Sequence, residues 1–172
     1  MPIPPIRSWA IYQGPLRKAI HGLKYHRNLA LGDYFAPALI QVLAAQNWNI
    51  DLIIPVPLSP NRRRQRGYNQ AEILAFPLAL AIHKPLISHA LIKNRETPSQ
   101  VGRSANERQE NVKNAFFAHP RFVSGRSILL VDDVVTTGAT MSACAEALLN
   151  AGAHSVYGLT LARALSHSDD QL

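Results

Sequence analysis

The stretch ILLVDDVVTTGAT, residues 128–140, constrains this chain more than any other. Residues 127–131 form a short apolar run that reads as a buried strand, and it stops at two adjacent carboxylates, Asp132 and Asp133. Threonines and small residues follow, then the spacing of a helix. A loop that leaves a strand and enters a helix aims unpaired backbone N–H groups at one point. The helix dipole adds partial positive charge there, so a phosphate is a natural guest. Gly138 and Ala139 permit close approach of an anion to the backbone, and Thr136, Thr137 and Thr140 offer hydroxyl donors without charge. The two acids stand too near the loop to bind the phosphate; they suit sugar hydroxyls or a hydrated Mg²⁺. An isolated acidic pair more often caps a helix or faces solvent. The ordered succession of strand, acids and small-residue loop is what favours a site. A nucleoside triphosphatase would need a G-x-x-x-x-G-K-[ST] loop, and no glycine here precedes a lysine.

The other elements alternate. Leu16, Ala19, Ile20 and Leu23 lie at helical spacing within residues 15–25. A second helix starts near Asp33, with Leu31, Phe35, Leu39, Val42 and Leu43 on one face. DLIIPVP, residues 51–57, reads as a buried strand, and SPNRRRQRG reads as a basic loop. A helix over about 68–82 follows, with Pro77 expected to kink it. Residues 86–87 and 90–92 read as short strands. The polar stretch 93–117 is the least regular, although Ser104 and Glu107 form a capping box for a short helix, and Phe116 and Phe117 can start a strand. The last helix spans about 138–151, with Met141, Cys144, Ala145, Leu148 and Leu149 inward and Gly152 as its stop. A strand over 155–161 closes the domain before a polar tail. Strands alternating with helices predict an α/β fold with a mainly parallel sheet, whose ligands sit beyond the carboxyl ends of the strands. The loops after Pro57 and Val131 both fall there, which predicts one site between them.

Charge supports an anionic ligand. The chain of 172 residues carries a formal +7, with 17 basic and 6 acidic residues over 1–127 but 1 basic and 5 acidic over 128–172. A basic body facing an acidic pair fits a polyanion carrying a metal ion, or nucleic acid. Cys144 is the one cysteine, which excludes an internal disulfide and a multi-cysteine zinc site. No apolar run approaches the ~20 residues of a membrane span, and no secretory signal opens the chain, so a cytoplasmic protein is expected. The seven histidines are scattered without metal-ligand spacing, and none is assigned to catalysis.

ILLVDDVVTTGAT resembles the phosphoribosyl pyrophosphate (PRPP) motif of type I phosphoribosyltransferases. LKYHRN, IIPVPLSPNRRRQRGYNQAEILA and RETPSQVGRSANERQENVKNAF narrow the likeness to the competence-F (ComF/GntX-like) branch, over residues 14–163. The resemblance implies the type I phosphoribosyltransferase fold, with residues 1–50 as an N-terminal helical hood, 51–163 as the core and 164–172 as the tail. It implies that Asp132 and Asp133 take the ribose hydroxyls and that Val135, Thr136, Thr137, Gly138, Ala139 and Thr140 hold the 5′-phosphate. Pro57, Leu58 and Ser59, with Arg62, Arg64 and Arg66 behind them, would meet pyrophosphate and Mg²⁺. Residues 93–108 correspond to a flexible lid. Lys24, Tyr68, Asn69, Gln70, Arg95, Gln100 and Arg108 are further candidate contacts, though Asn69 also suits a helix cap and Lys24 a surface lysine. Members of this branch usually carry a four-cysteine zinc ribbon ahead of the transferase domain; this chain lacks those cysteines.

The implied reaction is Mg²⁺-dependent transfer of the phosphoribosyl group from PRPP to a nitrogen nucleophile, in a protein linked to DNA uptake. The competing reading is a non-catalytic PRPP sensor, or a module that binds single-stranded DNA or competence proteins. Tyr68 alone adjoins the arginine run, few stacking aromatics for a single-strand groove. The nucleophile is left open, and a homodimer accords with the relatives.

Overall fold

The computed structural model describes residues 4–94 and 115–165. In chain order the elements are β1 (Ile6–Ile11), α1 (Gly14–Tyr25), α2 (Leu31–Ala44), β2 (Leu52–Pro55), α3 (Pro60–Arg66), α4 (Gln70–Ala81), β3 (Leu91–Lys93), β4 (Phe116–Ala118), α5 (Pro120–Val123), β5 (Ser127–Val135), α6 (Ala139–Asn150) and β6 (Ser155–Arg163). A 3₁₀ turn, Ser88–Ala90, precedes β3. Four strands form a parallel sheet in the order β1-β6-β5-β2, and β3 pairs antiparallel with β4. The chain thus has the expected α/β architecture, a parallel sheet between helical layers.

Alternation along the strands supplies both faces. Leu52, Ile54, Ile128 and Leu130 point to the side covered by α6, where Met141, Cys144 and Leu148 meet them. Ile53, Leu129, Val131, Leu159 and Leu161 point to the other side, against Ile20 and Leu23 of α1, Leu39 of α2, and Leu74 and Leu78 of α4. A parallel strand covered on both faces is why these segments are apolar throughout instead of alternating with polar residues.

Several details depart from the sequence reading. The N-terminal segment contains a strand as well as helices: β1 is an edge of the main sheet, paired with β6 from Ile6↔Gly158 to Ile11↔Arg163. The arginine run is helical, not a loop. Ser59 caps α3, Pro60 occupies its first turn, and Gly67 ends it at φ 83°, a backbone conformation that glycine adopts without steric cost. β5 and β6 run past residues 131 and 161, so both acids lie within a strand. Leu149, expected inward, is 42% exposed because it lies off the buried stripe of α6. Leu86 contributes an isolated parallel bridge to Ile53.

Pro77 does not interrupt α4. Its ring cannot donate to the carbonyl of Ile73, one turn earlier. Gly32 of α2 packs at that carbonyl so closely that a Cβ there would stand 2.4 Å from Ile73 O. The missing side chain lets the two helices approach where the proline leaves a carbonyl unused. The capping box at 104–107 and the lid expected over 93–108 lie, apart from Lys93 and Asn94, outside the described residues, as does the tail from 166.

Candidate functional site

β2 and β5 are hydrogen-bonded neighbours, with Pro55 opposite Val131 and the Val56 N–H donating to the Val131 carbonyl at 2.9 Å. The two segments that leave these strands therefore emerge side by side at one edge of the sheet. This adjacency joins the acidic and basic motifs.

Asp132 and Asp133 are consecutive near the end of β5, and their carboxyls stay close enough to interact although their surroundings differ. Asp132 lines a small recess of about 40 Å³ with Val134, Val135, Thr136, Thr137, Gly138, Ala139, Thr140 and Met141. Gly138 adopts φ 79° as the cap of α6, Thr136 and Thr137 are exposed, and Val135 is buried as the last residue of β5. Thr137 Oγ1 accepts from the Ala139 N–H at 3.4 Å.

Asp133 is buried beside α1 and α4. Lys24 Nζ of α1 lies 2.7 Å from its Oδ2, and Gln70 Nε2 of α4 donates to Oδ1 at 3.4 Å. Oδ2 has no aligned hydrogen-bond donor, so charge pairing carries its compensation. The Asp133 N–H donates to Asp132 Oδ1 at 2.9 Å. Two acids so close cannot both ionise freely. Asp132 keeps some exposure, but neighbouring atoms desolvate its carboxyl; that burial, followed by the charge of Asp133, pushes its pKa well above the usual range. Burial alone would raise Asp133 too, but the Lys24 charge and the hydrogen bonds to its carboxylate outweigh it and hold it below. Lys24 is raised: burial lowers it, and the Asp133 charge more than reverses that.

Above this ion pair opens a cleft of about 400 Å³ lined by Lys24, Tyr25, Arg27, Leu58, Arg62, Gln65, Arg66, Tyr68 and Gln70. Arg62 and Arg66 are one helical turn apart on α3, which sends both to the cleft. Arg64 does not line it; its side chain bonds Asn61, because residue 64 falls on another face of the helix. Arg63 is drawn to Glu72 at 3.4 Å. The Tyr68 hydroxyl donates to the Leu23 carbonyl, tying the start of α4 to α1, and Arg66 donates to Gln70.

Ser59 and Asn69 lie beneath the surface. The Ser59 hydroxyl accepts from the Arg62 N–H at 3.5 Å. Asn69 accepts from the Ala71 N–H and donates to the Val56 carbonyl, both at 3.0 Å, so its amide caps α4 and braces the strand end. Pro57 is half-buried, and Leu58 reaches the cleft. Arg95, Gln100 and Arg108 lie outside the described residues. Tyr25, Arg27 and Gln65 join the cleft without having been singled out by sequence; the LKYHRN segment that contains the first two was the available signal. Among the described residues no group of three or more His, Cys, Asp or Glu is placed to hold a metal, and no helix is long and apolar enough to cross a membrane.

Comparison with known proteins decides the family. The family model for the phosphoribosyl transferase domain matches residues 65–170. The chain belongs to that family. Within the phosphoribosyl transferase family its relatives are of the competence-F kind. DNA utilization protein YhgH of Shigella flexneri is 38% identical over 161 residues, covering 91% of this chain and 70% of the relative. Competence protein F of Haemophilus influenzae is 37% identical over 116 residues, covering 66% of this chain and 51% of the relative. The fold also matches the crystal structure of adenine phosphoribosyltransferase from Thermoanaerobacter pseudethanolicus, at a TM-score of 0.50 and 16% identity over 81% of this chain and 83% of that one.

Proposed function

We propose that the protein binds PRPP and transfers its phosphoribosyl group to a nitrogen nucleophile. One observation carries the reading: at neighbouring strand ends, Asp132 lines a small loop recess, while buried Asp133 pairs with Lys24, which lines a cationic cleft. In this reading Thr136, Thr137, Gly138, Ala139 and Thr140 hold the 5′-phosphate, and Asp132 takes ribose hydroxyls. Leu58, Arg62 and Arg66 receive the pyrophosphate. As the bond from the anomeric carbon to pyrophosphate breaks, positive charge grows on the ring, and the adjacent carboxylates stabilise it. The nucleophile's nitrogen then forms the new bond to that carbon.

The residues fit Mg²⁺ in a limited way. Asp133 is already paired with Lys24, so Asp132 is the carboxylate that would hold the ion. Mg²⁺ commonly takes one or two carboxylates and completes its shell with phosphate oxygens and water. When bound, it supplies charge neutralisation at the leaving pyrophosphate. Relatives named for DNA utilization and competence lead us to place this activity in the handling of DNA taken up by the cell.

A non-catalytic single-strand-binding role has one observation in its favour. Exposed Tyr25 stands in the cleft with Lys24, Arg27, Arg62 and Arg66, an aromatic and cationic combination suited to stacked bases and a phosphate backbone. Calorimetry separates the two. PRPP should bind with Mg²⁺ and lose affinity in Asp132→Asn, whereas DNA binding should weaken steeply with added salt. Absence of heat at millimolar PRPP sinks the transferase reading.

A further inference from the structure

Arg27 stands apart from the residues that the family likeness assigns. It follows the C-terminal end of α1 with φ 52°, a left-handed conformation that is unfavourable for a residue with a Cβ. The fold keeps this strain at a position that lines the cleft. The guanidinium reaches the Gly67 turn, where Nη2 lies 3.6 Å from the position a Cβ would occupy. Gly67 follows Arg66, whose guanidinium lies 5.3 Å from the Tyr25 ring centre. Two guanidinium groups, Arg66 over the Tyr25 ring and Arg27 at the adjoining Gly67 turn, thus line the same cleft. Among the described residues the ion pairs formed are Lys24–Asp133 and Arg63–Glu72, so neither Arg27 nor Arg66 is matched by an acid there.

Pyrophosphate does not account for this charge. It would travel with a divalent cation that offsets much of its own, and Arg62 and Arg66 already face it from α3. Arg27 comes from the wall built by α1 and the residues after it. The cleft, at about 400 Å³, lies in the range of sites for small organic molecules, roughly 300–1,000 Å³, and has room beyond a pyrophosphate.

We propose that Arg27, beside Tyr25, forms a second anion subsite, and that the nitrogen nucleophile used here carries its own phosphate group, a compound of mononucleotide size. This rests on the PRPP reading of the neighbouring loop. A purely structural Arg27, docked on the C-terminal end of α3 where a cation is favoured, would show itself in stability instead of binding.

The test uses the full chain saturated with Mg²⁺ and PRPP, titrated with inorganic phosphate and followed by ³¹P line broadening. Phosphate should bind with PRPP in place. Arg27→Ala should weaken it about tenfold or more, as expected for loss of a charge-assisted hydrogen bond, with Arg27→Lys restoring part. PRPP affinity should fall far less than phosphate affinity, since the pyrophosphate contacts come from α3 and Arg27 from the end of α1. Adenosine 5′-monophosphate should bind more tightly than adenosine, and Arg27→Ala should erase the difference.

The proposal is overturned if PRPP displaces phosphate, if Arg27→Ala leaves phosphate binding unchanged, or if it weakens PRPP equally. It is also overturned if a single-stranded oligonucleotide competes with PRPP and phosphate together. Should Arg27→Ala fold poorly, Arg27→Gln carries the same measurements. If PRPP itself does not bind, the transferase reading falls, and phosphate titrated alone still reports whether Arg27 builds an anion site.

Discussion

Replacing Lys24 by Met removes the cation from beside Asp133 while keeping a stem of similar length. The side chains are 24% and 4% exposed, so the pair is largely desolvated. Removing one partner of a buried ion pair costs about 3–5 kcal/mol, because the other charge is left uncompensated. Lys24 keeps some solvent contact and Asp133 keeps the Gln70 donor, which brings the expected loss to about 2–3 kcal/mol. For a chain of this size that is a drop of roughly 4–12 °C in Tm.

The pH dependence gives a sharper test. In the wild type, Asp133 lies below its ordinary 3.8, so its contribution is fully present above that pH and is lost as pH falls through the folded value. Lys24 lies above 10.5, so its share is complete below that pH and is lost as pH rises through the folded value. In Lys24→Met, burial without a cation raises Asp133, and protonation relieves the buried charge. Urea unfolding should therefore show a deficit that is largest near neutral pH and shrinks on acidification. Lys24→Met with Asp133→Asn should recover much of the loss, since no buried charge then remains. A neutral-pH deficit under about 0.5 kcal/mol, or one that acid does not diminish, would refute the reasoning.

Two further substitutions probe the same edge of the sheet and its support. Asp132 has a raised pKa, so ionising it destabilises the fold as pH rises from 3.8 through the folded value. Asp132→Asn should therefore match or exceed wild-type stability in neutral urea titrations while losing PRPP affinity, the usual opposition between a functional charge and a stable fold. Gly32→Ala would drive a Cβ against the Ile73 carbonyl at 2.4 Å. Separating α2 from α4 should cost at least the ~1–3 kcal/mol of an overpacked core, read as a lowered Tm, whereas Gly22→Ala, with only Leu31 Cδ1 at 3.9 Å, should be tolerated.

The site was legible in sequence to the extent that its parts are local. Strand, acids, small-residue loop and helix succeed one another within residues 127–150, and apolar runs identified β2, β5 and β6. The signs of α3 were also local, since Ser59, Pro60 and Gly67 are its cap, first turn and stop. They went unread because four arginines and no apolar stripe make a helix look like a loop.

β1 was hidden for a different reason. IRSWAI has little pattern of its own and becomes a strand by pairing with β6, at the far end of the chain. Strand preference depends on the neighbours a strand acquires. The sequence alone determined that this chain builds a parallel sheet with an acidic pair and a phosphate-type loop at the end of one strand, because those features arise from neighbouring residues. Tertiary structure alone decided that the two neighbouring acids acquire different partners. Asp132 lines the loop recess, and packing of α1 brings Lys24 to Asp133. The same packing brings Arg27 to the cleft, a meeting of residues that no local periodicity encodes.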